Sequence, residues 1–241
     1  MTTKPTTAMV LAAGLGTRMR PLTDAVPKPM VRLAGRPLLD HVLGRLADVG
    51  IGRAVVNVHY LPEQIETHLA GRRRPKIQIS SERGELLDTG GGVMRALPLI
   101  GNGPFIVHNS DSVWVESVGS NLARTLAMWD PQRMDCLMLL ALASTSIGYD
   151  GLGDFTMAAD GRLTRRGERQ SAPFVFAGVS IASPALLEGA PPGRFSLNRL
   201  WDRASDKGRL YGIRLDGVWM HIGTPDALDE AERWLAREHN R

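Results

Sequence analysis

Residues 8–30 read AMVLAAGLGTRMRPLTDAVPKPM, and the fold is decided there. The apolar run Ala8 to Ala13 has the length and composition of a buried strand, and it leads directly into Gly14-Leu15-Gly16-Thr17-Arg18. Glycines at a strand end let the backbone approach a bound group and turn its N–H donors toward it, which suits an anion. Arg18, Arg20 and Lys28 bring positive charge to the same turn, and Pro21, Pro27 and Pro29 punctuate it. Free amides and three cations at a strand end are what a triphosphate needs. The turn is not a Walker loop, because no Gly-Lys-Ser/Thr follows. Nor is it the dinucleotide fingerprint, because Met19 stands where a third glycine is required.

Outward from this turn, strand and helix patterns alternate. Leu38, Leu39, Val42, Leu43, Leu46 and Val49 recur at helical spacing, with Gly50 as a C-cap. Ala54 to Val58 reads as a buried strand, and Pro62 opens a helix with Ile65 and Leu69 inward. Ile77 to Ile79 and Pro104 to His108 read as strands, and Gly92 to Leu97 as the start of a helix. This alternation predicts a parallel sheet with helices on both faces. From Asp135 the pattern shifts to strands at Cys136–Leu142, Phe155–Met157 and Phe174–Ile181, with Ala159-Asp160-Gly161 as a hairpin turn. Helices follow at about 197–205 and 225–237. The expected architecture is a single three-layer α/β/α domain over residues 1–241 with a Rossmann-like mixed sheet. A first half covers about 7–130 and a second half about 131–241.

The composition, 43% hydrophobic and 22% charged, is that of a soluble globular protein. A formal charge of +4 with dispersed basic residues calls for no nucleic acid partner. Only Lys4, Lys28, Lys76 and Lys207 among the 29 basic residues are lysines, which makes Lys28, between two prolines, the more noticeable. The lone Cys136 allows no intrachain disulfide and fits a reducing cytoplasm. The six-residue apolar run near the N-terminus is too short for a signal peptide or a membrane span, so no membrane partner is expected.

Three further segments carry chemistry. Asp88-Thr89-Gly90-Gly91-Gly92 reads either as a hinge or as a backbone laid against a flat base, with its edge hydrogen-bonded and Thr89 adding a hydroxyl. Asp111, in His108-Asn109-Ser110-Asp111-Ser112 beyond the Phe105-Ile106-Val107 strand, reads as a Mg²⁺ ligand or as an Asx turn. In Gly217-Val218-Trp219-Met220-His221-Ile222-Gly223-Thr224-Pro225, Thr224 and Pro225 cap a helix. His221 there is a metal ligand, a substrate contact or a satisfied, semi-buried histidine.

The run Gly14-x-Gly16-Thr17-Arg18-Met19-x-Pro21-Leu22-Thr23, followed by Pro27-Lys28-Pro29-Met30, resembles the signature of the sugar-1-phosphate nucleotidylyltransferases. The resemblance extends over nearly the whole chain. It implies attack of a sugar 1-phosphate on the α-phosphorus of a nucleoside triphosphate, with release of pyrophosphate. Arg18 and Lys28 would be the catalytic cations, and Leu11, Ala12, Ala13, Gly14, Gly16, Thr17, Asp88, Thr89, Gly90 and Gly91 would bind the nucleotide. Asp111 falls at the family's metal-binding aspartate, with Ser110 in place of glycine. His221 falls where the family usually has a second carboxylate. Mg²⁺ is the implied cofactor, with Mn²⁺ a possible substitute because imidazole serves Mg²⁺ poorly; a site that binds nucleotide without turnover is the other alternative. The 160s hold no counterpart of the lysine that many relatives use for the sugar phosphate, and Arg165 or Arg166 are the candidates to replace it. Asp154 and Gly178 fall in the sugar-binding half. Asp154 either bonds sugar hydroxyls or closes a turn, and Gly178 either admits the sugar ring or marks a bulge.

Within the family, the triple glycine and short chain resemble the N-acetylmuramate-1-phosphate uridylyltransferases of cell-wall recycling, which use UTP. Members that use GTP and mannose 1-phosphate are also similar. A monomer or homodimer is expected.

Overall fold

The inner strands of the central sheet send alternate side chains into two separate cores. The computed structural model describes residues 4–238, so the outermost three residues at each end of the expected domain lie outside it. The first half contains β1 (Thr7–Leu11), β2 (Arg32–Leu33), β3 (Arg36–Pro37), α1 (Leu38–Asp48), β4 (Arg53–Val58), α2 (Pro62–Leu69), β5 (Lys76–Ser81), α3 (Asp88–Ile100), β6 (Phe105–Asn109), β7 (Ser112–Glu116) and α4 (Asn121–Met128). The second half contains β8 (Cys136–Leu142), β9 (Phe155–Met157), β10 (Leu163–Arg165), β11 (Phe174–Ala182), α5 (Pro184–Leu187), α6 (Asn198–Asp206), β12 (Leu210–Arg214), β13 (Gly217–His221) and α7 (Pro225–Glu238).

The strands run in the order β12-β8-β11-β6-β1-β4-β5, with the β9–β10 hairpin continuing from β11. β1, β4, β5 and β6 pair in parallel, whereas β11 runs antiparallel to both β6 and β8. On one face Ala8, Val10, Val56, Ile106, Leu137 and Leu139 pack with Leu39, Val42, Leu43 and Leu46 of α1. On the other, Met9, Val55, Phe105, Val107 and Met138 pack with Val93, Ala96 and Ile100 of α3 and with Leu200 and Ala204 of α6. A strand that alternates between two covered faces reads as continuously apolar, as these do. The expected mixed α/β sheet, parallel in its first half, is what forms.

Two segments to which the sequence pattern assigns no element are strands. β7 and β13 pair antiparallel, with Trp219 opposite Trp114 and His221 opposite Ser112. This ribbon and α7 enclose a third cluster that includes Met19, Leu33, Val113, Met220 and Ile222. The ribbon carries the C-terminal His221 back to the turn after β6. α3 begins at Asp88, four residues before the expected Gly92. Glycine's low helix propensity favours a loop there, but tight packing overrides it.

One buried stack lies behind the site. The His108 ring lies parallel to Trp114, with centroids 5.7 Å apart, and the Arg45 guanidinium covers the indole at 4.3 Å. His108 Nδ1 donates to the Asn109 carbonyl at 2.8 Å, while Nε2 has no partner. Burial pushes this imidazole down from 6.5 to about 4. The unfolded chain therefore takes up a proton that the folded chain refuses, and stability falls as pH drops from about 6.5 to about 4. Relative to a His108→Leu variant, wild type should lose on the order of 3 kcal/mol between pH 7 and pH 4 in urea unfolding. A pH-independent difference would show that His108 is not buried neutral.

Candidate functional site

The carboxyl ends of β1 and β6 lie side by side, Leu11 opposite Asn109, and two clefts of about 460 and 540 Å³ open there. Arg18, Asn109 and Asp111 line both. They form the wall at which anything in one cleft meets anything in the other.

The first cleft is lined by the turn after β1, from Leu11 through Met19. The Ala12 N–H is held by Asn57 Oδ1 at 2.7 Å. Beyond it, the amides of Gly14, Leu15, Gly16 and Thr17 have no acceptor among the described residues. Gly16 has φ of +66°, which a side chain would strain, and its carbonyl accepts from Thr23 Oγ1 at 2.8 Å. Buried Met19 anchors the turn, leaving Arg18 exposed and without an ion pair among the described residues. Arg20 is drawn away to Asp24 at 3.3 Å and does not line the cleft. The turn thus presents free N–H donors and one uncommitted cation, an arrangement that suits an anion.

Lys28 closes the shared wall. Its ammonium forms an ion pair with Asp111 Oδ2, and the two side chains are 13% and 25% exposed. Burial would raise the Asp111 carboxyl, but the Lys28 charge and hydrogen bond, with a smaller contribution from His221, outweigh it and hold it below its ordinary value. His221 is brought to this wall between Trp219 and Tyr149, whose ring centroids lie 5.5 and 6.3 Å away. Burial lowers its pKa, against the pull of Asp111. No cluster of three His, Cys, Asp or Glu side chains exists among the described residues. One carboxylate is nevertheless enough for Mg²⁺ when phosphate oxygens and water complete the shell, and Asp111, lining both clefts, fits that requirement.

The triple glycine lies beside the first cleft and is packed from behind. Asp88 and Thr89 line the first cleft, whereas Gly90 and Gly91 do not. Their amides donate to the Phe195 carbonyl at 2.9 and 3.2 Å. A Cβ on Gly90 would collide with the Phe195 ring, and one on Gly91 with the Gly193 carbonyl. Thr89 Oγ1 accepts from Leu197 N at 2.9 Å. A Cβ on Gly92 would fall 2.8 Å from Glu82 Oε1 and 2.9 Å from Asn57 Nδ2. The glycines are thus spaces, filled by an aromatic ring, a carbonyl and a buried polar pair.

That pair was missed in the sequence. Asn57 Nδ2 donates to Glu82 Oε1 at 2.7 Å, and Glu82 Oε2 accepts from Leu87 N at 3.1 Å. Asn57 and Glu82 both line the cleft, as does Arg194. The available signal was an amide inside the apolar strand Ala54–Val58. A carboxylate only accepts, so Glu82 forces the Asn57 amide to turn its oxygen toward Ala12.

The second cleft is lined by Tyr149, Phe155, Phe176, Trp201 and Trp219, with Asp154 and Gly178 among them. Asp154 Oδ2 accepts from Phe176 N at 2.9 Å. Gly178, at φ +79°, sits at the register shift in β11, where a Cβ would lie 2.6 Å from that of Ser112. Arg165 reaches this cleft. Arg166 instead donates to the carbonyls of Gly153, Gly167, Glu168 and Gln170 and braces a loop.

Residues 7–144 match the sequence profile of the family described as Nucleotidyl transferase. The chain is 45% identical over 240 residues to N-acetylmuramate alpha-1-phosphate uridylyltransferase of Caulobacter vibrioides, covering 98% of this chain and 99% of that one. It is 33% identical over 228 residues to the protein of the same name from Neisseria meningitidis, covering 93% and 96%. Its fold superposes on HddC from Yersinia pseudotuberculosis, solved with GMP-PN, at a TM-score of 0.72 with 22% identity, covering 95% and 99%.

Glu82→Gln puts a donor where both partners need an acceptor, so either Asn57 or Leu87 N is left unpaired. Urea unfolding should show a loss of about 1–3 kcal/mol, and an unchanged midpoint would show that Glu82 does not hold both groups.

Proposed function

Because the chain belongs to the nucleotidyl transferase family, we propose that it transfers the uridylyl group of UTP to N-acetylmuramic acid 1-phosphate, releasing pyrophosphate. The enzyme class, sugar-1-phosphate nucleotidyltransferase, follows from the family and the 45% identical relative. The observation that carries the reading is the shared wall. A cleft with free amides and a cleft with aromatic walls meet at Arg18, Asn109 and Asp111.

The sugar phosphate needs little activation, since a phosphate monoester with a second pKa near ~6 is mostly dianionic at neutral pH. One of its oxygens attacks the α-phosphorus as the bond to the β-phosphate oxygen breaks, and pyrophosphate carries away the electron pair. This chain's residues position the groups and neutralise charge. Arg18 and the amides of Gly14 to Thr17 hold the β- and γ-phosphates. Lys28 offsets charge growing at the α-phosphate. Asp111 would hold Mg²⁺, with Mn²⁺ as a substitute, and the ion supplies further charge neutralisation when bound.

The same reading places the reaction in the cytoplasm, in recycling of cell-wall sugar, by a monomer or homodimer. In support, Cys136 is free and buried, and burial pushes its thiol up to about 12, which keeps it unreactive. No described helix is long and apolar enough to cross a membrane.

Pyrophosphate release across UTP, GTP, CTP and dTTP against several sugar 1-phosphates should be fastest for UTP with the muramyl substrate. Faster turnover of GTP with mannose 1-phosphate would overturn that assignment. Lys28→Ala and Arg18→Ala should each lower kcat by on the order of 10²-fold or more, and wild-type rates would remove them from the mechanism. Asp111→Asn should abolish Mg²⁺-dependent release, and activity that still responds to Mg²⁺ would place the ion elsewhere.

A further inference from the structure

Arg165 and Arg166 are adjacent, yet only one is spent on the fold. Arg166 gives its donors to four backbone carbonyls. Arg165, at the end of β10, is held from two sides by α6. Its Nε donates to Asp202 Oδ1 at 2.5 Å and its Nη2 to Asn198 Oδ1 at 3.3 Å. Asn198 and Asp202 are four residues apart, so one helix face supplies both contacts. The Phe155 ring lies under the guanidinium at 5.1 Å. Nη1 has no partner among the described residues, and the side chain is one-third exposed in the lining of the second cleft. A planar fork fixed on three sides with its remaining donors unused is preorganised for an oxygen anion.

Arg18 is the other arginine of this cleft, and it lies on the wall shared with the nucleotide. The 1-phosphate must lie at that wall to reach the α-phosphorus, leaving Arg165 free for a second anion. Asp202 already offsets part of the Arg165 charge, which suits a singly charged carboxylate better than a phosphate dianion. Trp201 and Phe176, in edge contact at 4.8 Å, provide apolar surface in the same cleft.

We propose that Arg165, positioned by Asp202 and Asn198, is the specificity residue that binds a carboxylate carried by the sugar, selecting acidic sugar 1-phosphates over neutral ones. This rests on the reading above, in which the sugar is N-acetylmuramic acid, whose lactyl ether bears a carboxylate that N-acetylglucosamine lacks.

The test measures kcat/KM with UTP for N-acetylmuramic acid 1-phosphate, the same compound with its lactyl carboxylate converted to the amide, and N-acetylglucosamine 1-phosphate. Wild type should prefer the acid to its amide by about 10- to 100-fold, the range for hydrogen bonds to a charged group. Arg165→Met should lose that preference, with kcat/KM falling at least 10-fold further on the acid than on the amide or N-acetylglucosamine 1-phosphate. Arg165→Lys should retain part of it. An equal fall on all three substrates would assign Arg165 to the 1-phosphate or to the fold and overturn the proposal. A wild type that does not distinguish acid from amide would overturn it while leaving the uridylyltransferase reading intact. No turnover of either muramyl compound, with another sugar 1-phosphate accepted, would overturn both. The acid-to-amide ratio of wild type needs no variant to fold.

Discussion

The ion pair between Lys28 and Asp111 is the point about which the two clefts are arranged. Its partners are 83 residues apart and belong to different elements. Lys28 is held in a short helical turn flanked by Pro27 and Pro29, and Asp111 in the two-residue turn between β6 and β7. They meet because β1 and β6 are parallel neighbours whose carboxyl ends stop at the same level. In an open α/β sheet this is where ligands bind. The Lys28 charge holds the Asp111 carboxyl below its ordinary value despite burial, so a cation entering the site meets a carboxylate already formed. Phosphate oxygens and a divalent ion can replace the two halves of the pair without either charge being left alone.

A buried polar chain of Ala12 N–H, Asn57, Glu82 and Leu87 N–H stands behind that pair. Unpaired, each buried group would cost on the order of 1–3 kcal/mol. Satisfied, they fix the end of β1 from which the glycine-rich turn departs. Gly92 leaves the space for Glu82 and Asn57, as Gly90 does for Phe195. The wall of the first cleft is thus set by what three glycines omit. The segment around Phe195, joined to α3 by these contacts, leads directly into α6, which holds Arg165.

The sheet was legible because its strands are apolar runs alternating with amphipathic helices, a pattern that burial on two faces imposes. The turn after β1 was legible as a candidate anion site because glycine, proline and cations in that order serve few other purposes. Two things were not. Asp88 to Gly92 looks like a loop because glycine is a poor helix former, and only distant Phe195 and Glu82 make a helix the better state. The β7–β13 ribbon joins residues more than a hundred positions apart, and no local pattern announces that His221 lies opposite Ser112. The roles of Arg165 and Arg166 were inseparable in sequence for the same reason, since what distinguishes them is a helix face at Asn198 and Asp202.

The central claim is that a sugar phosphate in the aromatic cleft attacks a nucleotide in the glycine-rich one across the Lys28–Asp111 wall. Its most direct test is a reaction with N-acetylmuramic acid 1-phosphate carrying heavy oxygen in its phosphate, followed by mass spectrometry of all products. The account predicts that the label appears wholly in the uridine diphosphate sugar and that the pyrophosphate is unlabelled. Pyrophosphate formed while the labelled sugar phosphate remains unconsumed would mean that water is the nucleophile, and would contradict it.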